Sequence, residues 1–178
     1  MRSDTRIDST FGNRLVEEGI VNRRSLEEAL SRSQKSGRPL IEHLCHDFGT
    51  SSDLLYPILA RQLNVPFQSL TSVQIPDDLV RRIPIKVAAH YQFLPLKIES
   101  NRLTLACHYP LSLKTQDEIR MQTGFAVDQV LAKREEIQEL VRRAYGMAAG
   151  TVDRIVSSSY ADVRKDDVGV SNIAIADQ

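Results

Sequence analysis

Phe11 and Leu40, Leu15 and Leu44, Leu26 and Leu55, and Leu30 and Leu59 are all 29 residues apart (40−11, 44−15, 55−26, 59−30). Asn22 and Ser51, each suited to cap a helix, share the offset (51−22 = 29). An apolar pattern that repeats in register with its caps restricts residues 10–64 to two copies of one supersecondary unit. Within each copy the leucines fall one helical turn apart, so the unit is a helical hairpin and not a pair of strands. Gly19, Gly37 and Gly49 mark helix ends. Pro39 suits a first helical turn, whereas Pro57 falls inside the fourth helix and should bend it. Residues 1–9 are polar and aperiodic, and the expectation is a disordered N-terminus.

After residue 64 the texture changes. VPFQSLTSVQIP has two prolines and no helical period, so residues 65–75 read as an extended linker. Two short helical pieces follow around Leu79 and Val87. Then come two β-runs, QFLPLKIES and RLTLACH, joined at Ser100-Asn101 by a tight turn. A helix over 114–123 ends at Gly124, FAVDQVLA is a third strand, and residues 133–145 form a last amphipathic helix. The predicted fold class is α+β: duplicated helical hairpins at residues 10–64, then a small subdomain at residues 76–146 with a three-stranded sheet. Residues 147–178 lack Leu and Phe and are expected to be a flexible tail or linker.

The chemistry is sparse. With 23 Lys+Arg against 23 Asp+Glu the net charge is zero, which argues against a nucleic-acid coat. No apolar run reaches the roughly 18 residues of a membrane span, and no secretory signal opens the chain. Two cysteines are too few for a disulfide framework, so a cytoplasmic setting is expected. There is no P-loop, dinucleotide fingerprint, H-E-x-x-H or G-x-S-x-G, and the expectation is a protein that is not an enzyme. His43, Cys45 and His46 are the densest cluster. Only His43 and His46 share a helical face, and neither the spacing nor His90, Cys107 or His108 demands a metal site.

The order of parts resembles the N-terminal domain of type II secretion and type IV pilus assembly ATPases, called MshEN-type when it binds cyclic di-GMP. The resemblance rests on F-G-x-x-L-V-x-x-G-I-V-x₄-L-x₃-L in residues 11–30, the NVPF and IP-x-x-L segments, and a hairpin ending in A-x-x-x-P at 106–110. A helix closed by Gly124 and a last helix ending in Tyr145-Gly146 complete it. It implies a regulatory and docking domain with an inner-membrane platform protein and an ATPase motor, in cis or in trans, as partners. It also implies cyclic di-GMP as an alternative ligand, with no other cofactor.

The family's ligand motif resembles R-L-G-x-x-L-x-x-x-G with later leucines and a closing Gln, given twice. Thr10 stands at the first Arg position, before Phe11 and Gly12. Leu15, Gly19, Leu26 and Leu30 match, and Ser33 closes the copy, with Gln34 next. Pro39 stands at the second Arg position with Arg38 before it. Ile41 and Phe48 replace glycines, with Gly49 displaced by one, while Leu44, Leu55, Leu59 and Gln62 match. The implied ligand-binding set is Phe11, Gly12, Leu15, Arg38, Leu44, Leu55, Leu59 and Gln62. Each charge-assisted hydrogen bond lost with the two motif arginines is worth about 1.5–3 kcal/mol, which together weakens binding by about 10²-fold or more. A helical protein-docking surface and a cyclic di-GMP sensor both remain open at this point.

Overall fold

A computed structural model describes residues 4–146 of the chain. The expected tail at 147–178 lies outside the described residues. Four helices come first: α1 (Thr5–Glu17), α2 (Arg23–Ser36), α3 (Leu40–His46) and α4 (Ser52–Leu63). The short α5 (Asp77–Arg82) and α6 (Ile85–His90) lead into β1 (Phe93–Glu99) and β2 (Arg102–Cys107). Then follow α7 (Leu113–Thr123), β3 (Ala126–Leu131) and α8 (Arg134–Tyr145). The α+β architecture expected from the sequence is observed, with the helical repeats first and the sheet after them.

Two local expectations are corrected. Residues 4–9 are not frayed: the Asp4 carboxylate caps α1 by accepting from the backbone N–H groups of Arg6 and Ile7, and Asp8 is buried. A polar stretch with no apolar period is held by hydrogen bonds that periodicity does not report. Ser51 occupies the N-cap of α4 but makes no side-chain capping bond, whereas Asn22 accepts from the Ser25 N–H at 2.8 Å. Helix α4 continues through Pro57 to Leu63, where Asn64 terminates it with a left-handed φ of 52°.

The strand order is β1-β2-β3, with β1 antiparallel and β3 parallel to β2. Ser100 and Asn101 both have positive φ, 48° and 62°, which gives the two-residue hairpin a twist matching its strands. Pro95 lies on the edge strand beside a bulge, where its missing N–H breaks no ladder. The bulge also reverses the alternation of β1. Leu94 and Leu96 pack on one face of the sheet with α8, whereas Ile98 packs on the other.

That other face carries the larger core. Phe11, Leu15, Leu26, Leu40, Leu44, Leu55 and Leu59 of the repeats form one buried cluster with Phe93, Leu103, Leu105, Ile119 and Leu131. The opposite face holds Leu70, Ala106, Val130, Ile137 and Leu140. Residues 65–75 are extended but pinned: Phe67 bridges to Leu131 in parallel, and the Leu70 N–H donates to Glu136 Oε2 at 2.6 Å.

Candidate functional site

Six residues of the expected ligand set lie in the packed seam of the repeats. Phe11, Leu15, Leu44, Leu55 and Leu59 are each 0–1% exposed. Gly12 is buried too, and a Cβ there would lie 2.4 Å from Leu26 Cδ1, so its small size lets α1 approach its neighbours. The two remaining residues line different clefts. Gln62 lines one of about 440 Å³ with Thr10, Asn13, Arg14, Glu17 and Glu18. Arg38 lines one of about 250 Å³ with Glu42, His46, Arg134, Glu135 and Gln138, between α3 and α8.

The repeats meet head to tail at these places. Thr10, where the first copy begins, shares a cleft with Gln62, where the second ends. Ser33, where the first copy ends, has its Oγ 2.7 Å from the Arg38 carbonyl, where the second begins. Neither cleft has a cationic excess. The larger holds one arginine against two glutamates, and Arg14 Nε is already bound to Glu18 at 2.9 Å. The smaller holds two arginines against two glutamates, and Arg134 Nη1 lies 2.6 Å from Glu42 Oε1.

Two buried carboxylates join the repeats to the sheet through adjacent residues after β2. Glu42 on α3 meets His108 Nε2 at 3.1 Å as well as Arg134, in ionic contact. Burial alone would raise its carboxyl, but His108 and Arg134 outweigh burial and hold it down at about 2. Asp8 on α1 accepts from Ser33 Oγ at 3.0 Å, from the Leu40 N–H at 3.1 Å and from the Tyr109 hydroxyl at 3.2 Å. There burial dominates over these bonds and raises the carboxyl. Sequence reasoning did not single out either acid as a structural tie. Glu42 had a signal: α3 reads LIEHLCH, apolar on most sides, so a carboxylate within it must be buried and therefore paired. Asp8 had none, because its partners lie 25 to 101 residues away.

Two members of the histidine–cysteine cluster, His43 and Cys45, are taken up by the fold, while His46 is exposed on the Arg38 cleft. His43 Nδ1 binds Asp47 at 2.8 Å and its Nε2 meets Ser36 Oγ at 2.8 Å. Burial pushes the Cys45 thiol up to about 11, which leaves it protonated and a poor ligand. Among the described residues no group of three or more His, Cys, Asp or Glu is placed to hold a metal, and no helix is long and apolar enough to cross a membrane.

Comparison with known proteins gives a match to the MshEN domain over residues 63–151, half of the chain. The chain belongs to the MshEN domain family. That match covers the sheet-bearing half and starts where α4 ends, so the helical repeats precede it. The relatives and solved structures that follow cover more of the chain than this match. The structure of MshE with cdg superposes with a TM-score of 0.63 at 29% identity, covering 76% of this chain and 98% of that one. The N-terminal domain of XpsE shares the fold with a TM-score of 0.60 at 20% identity, over 80% of this chain and 96% of that one. The type IV pilus assembly ATPase PilB of Myxococcus xanthus is 24% identical over 153 residues, 86% of this chain and 27% of that protein. Bacteriophage adsorption protein B of Escherichia coli K12 is 28% identical over 147 residues, 83% of this chain and 20% of that protein. The chain thus spans about a quarter or less of the curated relatives it matches. With the pilus assembly ATPase PilB it shares about a quarter of that protein's length, and with XpsE the fold of the N-terminal domain.

Proposed function

We propose that this chain is a non-catalytic regulatory and docking domain of a type II secretion or type IV pilus assembly ATPase, acting by protein–protein contact. Its partners are an inner-membrane platform protein and the ATPase motor, in cis or in trans, at the cytoplasmic face. The repeats at residues 10–64 and the unit at 76–146, linked by 65–75, work together as the docking body. The observation that carries this reading is the fate of the repeat motifs. Every matching leucine is used for packing, and the positions that would grip a dianionic ligand are lost. Phosphate recognition depends on charge-assisted, often bidentate, donors, and both clefts are balanced or acidic.

A second reading is a cyclic di-GMP sensor, favoured by the likeness to MshE solved with cdg. Titration calorimetry with cyclic di-GMP separates the two. Docking without ligand gives no saturable heat up to high micromolar concentration. Saturation at micromolar concentration would overturn the ligand-free reading. In that event Arg38→Ala, at an exposed arginine, should weaken binding more than about tenfold through a lost charge-assisted bond. Gln62→Ala should weaken it less, because a neutral hydrogen bond contributes about 0.5–1.5 kcal/mol.

A further inference from the structure

Asp8 belongs to neither repeat motif, yet it touches the start of the second copy, the end of the first, and the sheet-bearing half. Its Oδ2 accepts from the Leu40 N–H at 3.1 Å and from Ser33 Oγ at 3.0 Å. Ser33 Oγ also lies 2.7 Å from the Arg38 carbonyl. A hydroxyl has one proton, so Ser33 can donate to Asp8 or to Arg38, not to both at once. Asp8 Oδ1 accepts from the Tyr109 hydroxyl at 3.2 Å, and that hydroxyl in turn accepts from the Asp4 N–H at 3.0 Å. Asp8 is 3% exposed, so no water shell is available to replace a lost partner.

We propose that Asp8 is a positioning residue that sets the backbone of the Arg38–Leu40 segment and relays the placement of Tyr109 to it. The segment needs such a brace. Gly37 is left-handed at φ 72° and ends α2, while Pro39 has no N–H and makes no side-chain cap for α3. Leu40 N–H is therefore an orphan donor of the first turn, and the Asp8 carboxylate satisfies it from another helix. With the backbone held on both sides of Pro39, the exposed Arg38 side chain leaves the loop in a defined direction, into its cleft. Tyr109 bears on the same carboxylate from the exit of β2. A shift of β2 relative to α1 thus alters the donors on Asp8, and through the single Ser33 proton alters the Arg38 carbonyl. This goes beyond the docking reading and does not depend on whether a nucleotide binds.

The test is amide hydrogen exchange in the full chain, comparing Leu40 with Leu59 of α4 as an internal reference for global stability. Tyr109→Phe keeps the ring and removes only the hydroxyl. It should speed Leu40 exchange about tenfold relative to Leu59, the scale of one charge-assisted hydrogen bond. Combined with Ser33→Ala, the effect on Leu40 should depart from the product of the single effects, since both act through one carboxylate. Asp8→Asn should give the largest change, and if that variant does not fold the Tyr109 and Ser33 variants still decide. No change at Leu40, an equal change at Leu40 and Leu59, or single effects that simply multiply would overturn the relay.

Discussion

Replacing Glu42 by Gln tests the electrostatic tie between the repeats and the sheet. The side chain is 3% exposed and lies 2.6 Å from Arg134 Nη1 and 3.1 Å from His108 Nε2. A carboxyl drawn down from 4.5 to about 2 contributes about 3 kcal/mol at about 1.4 kcal/mol per pH unit. An independent route gives a similar figure: removing one partner of a buried pair costs about 3–5 kcal/mol, because the other charge stays buried. The sign follows from the direction of the shift. A carboxyl lowered by folding stabilises the native state above pH 4.5, and that contribution is lost as the pH falls from there toward 2. Asp8 runs the other way. Its raised carboxyl favours the fold most below 3.8, and this contribution fades as the pH rises through its folded value. Comparing the parent chain with Glu42→Gln removes the Asp8 term from the result. The chain has no tryptophan, so urea unfolding is followed by far-ultraviolet circular dichroism. At pH 7 the variant should lose about 3 kcal/mol, and the gap should close as the pH falls below 4. A loss under about 1 kcal/mol at pH 7, or a gap that persists unchanged into acid, would refute the argument.

Leu44→Ala, at a side chain with no exposed surface, should lose about 2–5 kcal/mol in the same urea assay. A loss below about 1 kcal/mol would mean the seam between the repeats is not packed as described. Gly12→Ala should also destabilise, by about 1–2 kcal/mol, despite the better helix propensity of alanine. The new methyl would sit 2.4 Å from Leu26 Cδ1 and 3.2 Å from Leu40 Cδ2, and both leucines are enclosed in the core. A rise in unfolding midpoint would show that Leu26 can move aside.

Much of the α+β order was legible in the sequence because it rests on local periodicity. The 29-residue offset placed the four helices, and Gly19 and Gly37 marked the ends of the first two. The Ser100-Asn101 pair placed the hairpin. What periodicity conveys is which side of an element is apolar, and for Leu15, Leu44, Leu55 and Leu59 that side did become core. The same property limits what motif positions convey about a ligand. A leucine kept for packing and a leucine kept for a ligand give the same pattern, and only burial shows that these are enclosed.

Polar chemistry behaved differently. Asp8, Tyr109 and Arg134 are unremarkable in the chain, since a single polar residue carries no period, and Glu42 is marked only by the apolar helix around it. Their partners come from other helices and from the exit of β2, so hydrogen-bond distance is reached only after the cores have formed. By itself the sequence determined the repeat, the element order and the absence of known catalytic motifs, because these depend on spacing along the chain. The tertiary structure alone decided that the repeats and the sheet share one core, that Arg38 and Gln62 open onto separate clefts, and that two buried carboxylates bind the halves together. Those features depend on distances between segments remote in the chain, and local spacing does not encode such distances.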